Sequence, residues 1–250
     1  MILIKTQSEV DRMKRAGQQL AILFEKIKDL VVEGSSAYEV EKYVDSYMKE
    51  KGFIPTFKGY GGFPYATCIS LNEEIVHGFP LKEKVFKNGD IVSIDMGLTL
   101  DGYIADAART FIIGEVSEEV KKLVEVTEKS FWIGIEQAIP GNRIGDIGYA
   151  IQNYVESFGF SIIKEYVGHG VGRKLHEDPQ IPNYGIKGKG PMIRERMTFA
   201  IEPMVSLGDW KVKVLDDGWT AVTLDGSLSA HYENTIVVTK DGPEVLTILE

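Results

Sequence analysis

The sequence predicts an α+β chain built as two similar halves, each with two helices followed by strands. Three observations predict it. Helical apolar periodicity opened by capping-box patterns occupies the start of the chain. A strand-patterned hairpin turning at Asp101-Gly102 comes next. The order helix, helix, strands then recurs, and residues 34–53 align without gaps on 141–160, an offset of 107. Val40 falls on Ile147, Val44 on Ile151, Tyr47 on Tyr154 and Met48 on Val155. The same offset carries Asp95 onto Glu202, so two carboxylates hold equivalent places. That implies a pseudo-twofold axis with a site between the halves.

Thr6-x-x-Glu9 is a capping box. Behind it Val10, Met13, Gly17, Leu20, Phe24, Ile27 and Val31 recur at alternating steps of three and four, one apolar stripe on a long helix ended by Gly34. Ser36-x-x-Glu39 opens a second helix stopped by Gly52. Extended segments are expected over 53–58 and 65–72, separated by the Gly- and Pro-rich stretch 59–64. Ser117 can cap a third helix running to Ala138, broken by Pro140-Gly141, and a fourth covers 144–158. A strand with Ile162 and Ile163 leads to Gly168-His169-Gly170, and a loop containing Pro179 and Pro182 follows. Further strands are expected over 198–201, around a hairpin at Asp216-Asp217-Gly218, and continuously over 229–238.

The hairpin over 91–110 organises the chain. Val92 and Ile94 alternate with Ser93 and Asp95, the period of a strand. Folded about its turn, it brings Asp95 and Asp106 roughly opposite each other among apolar residues. Two desolvated carboxylates repel and need a counter-charge. Arg109 is an odd number of residues from Asp106 and so faces the other side of the sheet. A divalent metal answers the need; the alternative is a pair of solvated acids on an open hairpin face.

Composition bounds the rest. At 250 residues the chain is one large domain or two small ones, and its net charge of −9 argues against a general nucleic-acid surface. Cys68 is the only cysteine, so no internal disulfide can form and a reducing compartment fits. No apolar run is long enough to span a membrane and no leader peptide is read, so the cytoplasm is expected.

The histidines are His77, His169, His176 and His231. Glycines on both sides of His169 suit close approach of backbone and ligand. His77 lies in a strand-to-turn context; His231 is read as an ordinary core histidine. Glu202, at the end of an apolar strand, and Glu233, inside another, are acids that want partners. Asp95, Asp106, His169, Glu202 and Glu233 then form a candidate ligand set. Its four carboxylates balance two divalent cations, and oxygen ligands with one imidazole suit Mn, Fe(II), Co or Zn. Such a pair acidifies water and polarises a carbonyl, which points to a two-metal hydrolase.

These residues resemble the type I methionine aminopeptidases. The matching stretches are Asn72-Glu73-Glu74-Ile75-Val76-His77-Gly78, the hairpin acids, Gly168-His169-Gly170-Val171-Gly172-Arg173 with His176-Glu177-Asp178-Pro179, Phe199-Ala200-Ile201-Glu202-Pro203, and Tyr232-Glu233-Asn234-Thr235. The resemblance implies the pita-bread fold, a curved antiparallel sheet under two helix pairs. It implies a single catalytic domain over 1–250 with halves near 1–114 and 115–250. By resemblance Asp95 and Asp106 bind the two metals from one half, and His169, Glu202 and Glu233 from the other, with Asp106 and Glu233 bridging. Glu202 then serves as general base and acid on a bridging water, His77 contacts the scissile amide, and His176 stabilises the oxyanion. Tyr60, Phe63, Cys68, His77, His176 and Trp219 match the substrate pocket. The implied reaction removes an N-terminal methionine from new polypeptides, including those near the ribosome, when the second residue is small and uncharged. A monomer is expected.

This chain departs from the family pattern at three pocket positions. Phe63 stands where many relatives carry tyrosine, Leu175 where many carry phenylalanine, and Phe57 where some bacterial relatives carry cysteine. The rival enzyme of the same fold is a prolidase or Xaa-Pro aminopeptidase, which resembles a two-domain plan; here the first helix is expected at about residue 7. The rival from another class is a non-catalytic interaction protein of this fold. Such relatives have typically lost metal ligands, and all five are present here.

Overall fold

The computed structural model describes residues 1–249. In chain order the elements are α1 (Gln7–Ile27), α2 (Ala37–Lys51), β1 (Ile54–Pro55), β2 (Thr67–Leu71), β3 (Glu74–Val76), β4 (Ile91–Leu100) and β5 (Tyr103–Ile112) in the first half. The second half holds α3 (Glu118–Ile135), α4 (Ile144–Glu156), β6 (Ser161–Ile162), β7 (Gly168–Gly170), β8 (Glu177–Ile181), β9 (Thr198–Ile201), β10 (Met204–Ser206), β11 (Val212–Val214), β12 (Ala221–Thr223), β13 (Ser229–His231), β14 (Glu233–Thr239) and β15 (Gly242–Val245).

Both expected capping boxes form. The Thr6 hydroxyl accepts from the Glu9 amide while the Glu9 carboxylate accepts from the Thr6 amide, and Ser36 and Glu39 repeat the exchange. Each box satisfies amides that the first helical turn would otherwise leave unpaired. Gly52 closes α2 in the left-handed region, where a β-carbon would be strained.

A nine-stranded antiparallel sheet runs β1-β4-β5-β14-β9-β7-β8, with β2 added on β4 and β15 on β14. The central order β4-β5-β14-β9 reads alike outward from its middle, as two related halves require. Buried side chains of α1 and α2 share a core with Ile69, Val92, Ile94, Met96, Ala105 and Ala107, while those of α3 and α4 share one with Phe199, Ile201, Ile236 and Val238. Each helix pair thus covers its own half of the sheet. This is the α+β, pita-bread arrangement. No helix among the described residues is long and apolar enough to cross a membrane.

Three expectations need correction. The stretch holding Pro179 is not loop: β8 pairs with β7, and Pro179 is tolerated because this is the last strand of the sheet. The strand expected over 229–238 is two strands. The chain leaves the small sheet β13-β10-β6 at His231 and enters the main sheet at Glu233, with the Tyr232 amide donating to the Pro203 carbonyl between them. The segment 53–58 supplies only the two-residue β1.

Candidate metal centre

Strand alternation delivers the acids. Val92, Ile94, Met96 and Leu98 of β4 enter the helix-side core, so Asp95 faces the opposite side. Ala105 and Ala107 do the same on β5 and turn Asp106 away from the helices. On β14, Ile236 and Val238 point to the helices, so Glu233 does not. Asp95 and Asp106 are not directly opposed, however. Asp95 pairs with Ala108, and Asp106 pairs with Gly97. The two-residue turn sets Leu100 against Tyr103, and counting outward from that pair leaves the acids as diagonal neighbours on one face.

The other half closes on them. His169 of β7 pairs with Ala200 of β9, which places Glu202 diagonally beside it. The His169 Nε2 lies 3.4 Å from the Glu202 Oε1 and 3.8 Å from the Asp106 Oδ2. Asp106, His169 and Glu233 each present a ligand atom within 4.8 Å of the others. The glycines beside His169 serve the backbone: a β-carbon on Gly168 would sit 2.4 Å from the Ala200 carbonyl oxygen, and one on Gly170 2.3 Å from that of Asp178. They let β7 press between its neighbours and hold the imidazole in place.

The cluster is electrostatically incomplete by itself. Asp106 is 3% exposed and Glu233 2%. One oxygen on each of Asp95, Asp106 and Glu233 is buried with no hydrogen-bond partner. Burial first, then the neighbouring acids, pushes the Asp95, Glu202 and Glu233 carboxyls well above the usual carboxylate range; burial raises Asp106 as well. Burial holds His169 down at about 4, a neutral ring with a lone pair to give. Arg109 does not answer the acids. It stacks over Phe24 and Tyr232 on the helix side, its guanidinium 5.0 and 4.6 Å from their ring centres, and donates to the Ala108, Glu233 and Thr247 carbonyls and the Asn234 side chain. Orphaned carboxylate oxygens around a neutral imidazole fit a divalent cation.

A pH dependence follows. Metal must displace the protons held by these raised carboxyls. His77, His169, His176 and His231, all lowered from the ordinary 6.5 by burial, are neutral folded or unfolded only above about pH 7.5, and contribute no slope there. The carboxyls raised from 3.8 and 4.5, Asp106 to about 7, hold protons at pH values where their unfolded counterparts have lost them. The stability these carboxyls give the metal-free protein therefore falls as pH rises from their unfolded values through the raised ones, for Asp106 through about 7. The increase in Tm on adding a divalent ion should grow from pH 6.5 to 8; a pH-independent increase would contradict it.

A cavity of about 180 Å³ ends on this cluster. Every residue assigned to the site from the sequence lines it: Tyr60, Phe63, Cys68, His77, Asp95, Asp106, His169, His176, Glu202, Trp219 and Glu233. Phe57 and Leu175 complete an apolar wall, and Phe63 meets Trp219 edge to face at 5.1 Å. The Cys68 thiol is buried, and burial together with the nearby acids pushes its pKa well up, so it serves as wall and not as nucleophile. His77 is held at φ +61°, an uncommon conformation for a non-glycine residue, with its ring edge-on to Tyr166 at 5.3 Å. The Tyr60 hydroxyl bonds the His176 Nδ1 at 2.7 Å.

Two residues escaped the sequence reading. Tyr166 lines the cavity beside His77, with no motif to mark it. His231 forms a second cluster with Glu202 and Glu233. Its spacing of two from Glu233 was the available signal, since alternate residues of an extended chain share a face.

Residues 11–240 match the family model "Metallopeptidase family M24". The chain belongs to metallopeptidase family M24. Within that family it is 48% identical over 250 residues to the methionine aminopeptidase of Clostridium acetobutylicum, covering 100% of both chains. The crystal structure of the methionine aminopeptidase from Thermotoga maritima superposes with a TM-score of 0.97 at 55% identity, covering 99% of this chain and 100% of that one. The prolidase from Pyrococcus horikoshii superposes with a TM-score of 0.80 at 24% identity, covering 100% of this chain but only 65% of its own. That likeness shows the fold alone. As an M24 metallopeptidase with this donor cluster, the chain uses divalent metal.

Proposed function

We propose that this chain removes the N-terminal methionine from proteins and peptides whose second residue is small and uncharged, by metal-dependent hydrolysis. One observation carries the reading: the acid–imidazole cluster forms the floor of the same cavity whose walls are aromatic and apolar. Its M24 relatives named methionine aminopeptidase support the activity. In this reading Asp95, Asp106, His169, Glu202 and Glu233 hold two divalent ions, Co, Mn, Fe(II) or Zn, whose four positive charges offset four carboxylates. Ions held there supply Lewis acidity, acidifying water and polarising the scissile carbonyl.

The chain's own groups do the rest. Glu202 accepts the proton of the attacking water and returns it to the leaving amine as the C–N bond breaks. The Tyr60 hydroxyl is bonded to the His176 Nδ1; with the hydroxyl as donor, that ring's proton sits on Nε2, where it can meet the developing oxyanion. His77 contacts the scissile amide. Tyr60, Phe63, Cys68 and Trp219 enclose the methionine side chain. The unit is one catalytic domain over 1–250, with halves near 1–114 and 115–250. It acts as a monomer in the cytoplasm on the N-termini of newly made chains, including those near the ribosome.

Peptides that differ only at the second residue test the size limit. Met-Ala-Ser should release free methionine, and Met-Lys-Ser should be turned over far more slowly. Equal turnover of the two would remove the limit, and efficient cleavage of Xaa-Pro peptides whatever the first residue would favour a prolidase-type enzyme.

A further inference from the structure

His231 ends β13 with its side chain sealed from solvent, at 1% exposure for the residue. Its Nε2 has no hydrogen-bond partner, an arrangement that costs about 1–3 kcal/mol if it persists. The nitrogen is aimed at the metal centre. It lies 3.8 Å from the Glu202 Oε2, while the other oxygen of that carboxylate, Oε1, faces His169. The His231 backbone is clamped on both sides. Its amide donates to the Thr110 hydroxyl at 3.0 Å, and that hydroxyl donates to its carbonyl at 2.8 Å. The His231 backbone is therefore tied to β5, the strand that carries Asp106, while its own strand belongs to the smaller sheet.

We propose that His231 is the positioning residue for Glu202, its Nε2–H donating to the Oε2 and setting the rotation of the carboxylate. The inference rests on the role given to Glu202 above. The torsion that swings a glutamate carboxylate is broad and two-fold, so little else in the side chain fixes it. The 3.8 Å separation is about 0.6–1 Å longer than a hydrogen bond, so the contact needs only a small movement of the carboxylate. A neutral ring facing a carboxylate oxygen keeps its proton on the facing nitrogen, because two lone pairs would repel. A neutral donor orients Glu202 without adding a positive charge that would compete with the metal. With Oε2 held, Oε1 stays directed at the region shared with His169 and Asp106, where the proton has to be collected.

Two variants and one spectrum test this. His231→Leu removes the donor, and His231→Gln restores an N–H at similar reach. With metal saturating, His231→Leu should lower kcat on Met-Ala-Ser about 10–100-fold, the effect typical of losing a ligand's supporting partner, with KM little changed. His231→Gln should recover most of that loss, and calorimetric metal stoichiometry should be the same in all three proteins. In zinc-loaded, ¹⁵N-histidine-labelled protein, with His231 assigned by its disappearance in His231→Gln, Nε2 should carry a proton. Wild-type kcat in His231→Leu at equal metal content would overturn the proposal. So would a bare Nε2, or loss of a metal equivalent in both variants, which would make His231 a ligand. If His231→Leu does not fold, the spectrum and His231→Gln decide. If the wild-type protein releases no methionine, the proposed function fails, while tautomer and stoichiometry still report on His231.

Discussion

His176→Ala should keep its metals and its fold and lose most of its turnover, about 10²–10³-fold in kcat or roughly 3–4 kcal/mol. The ring lines the cavity beside the acids and stands 4.3 Å, centre to centre, from that of His169. It is exposed, and its hydrogen-bond partner is Tyr60, not a carboxylate. A donor aimed at charge that appears only in the transition state affects kcat more than ground-state binding. KM should therefore change modestly, and metal content should not change. Tyr60→Phe should lower kcat by a smaller factor, since the ring remains but its tautomer is no longer held. Metal loss in His176→Ala would make this histidine a ligand. Unchanged kcat at normal metal content would return it to a packing role.

Asp106→Asn and Glu233→Gln should each cost the site its metal affinity, by about 10²-fold or more, given that supporting partners of ligands alone are worth 10–100-fold. Both acids are buried, and each has an oxygen with no protein partner. A neutral amide removes one of four negative charges and replaces an oxygen ligand with an N–H₂ that repels a cation. The metal-free proteins should move the other way. Asp106 raises the Glu202 and Glu233 carboxyls, so its neutral amide relieves repulsion, and metal-free Asp106→Asn should be at least as stable as metal-free wild type. Calorimetric titration of the metal-free proteins, paired with their Tm values, reads both effects. Unchanged stoichiometry and affinity would remove these two residues from the site.

The hairpin acids and the helix starts were legible because short-range rules place them. Thr6-x-x-Glu9 and Ser36-x-x-Glu39 mark helix starts by local hydrogen bonding, and the boxes form as written. Asp101-Gly102 marks the turn, and strand parity then puts Asp95 and Asp106 on one face and Arg109 on the other. Register was less legible: the rough opposition expected for the acids is a diagonal, because it depends on which residues close the turn. Long-range facts were hidden. Nothing local says that the chain changes sheets at Tyr232, so His231 read as core. Nor does the sequence say that β8 will find β7. Both pairings are tertiary choices made among distant partners.

The most direct test of the account strips the protein with chelator and follows free methionine from Met-Ala-Ser as Mn(II), Co(II), Fe(II) or Zn(II) is added back. The metal-free protein should be folded and inactive, and activity should return with a divalent ion and saturate at the binding stoichiometry found by calorimetry. Full methionine release by the metal-free protein would contradict the account, as would no release at any loading when the ions are bound.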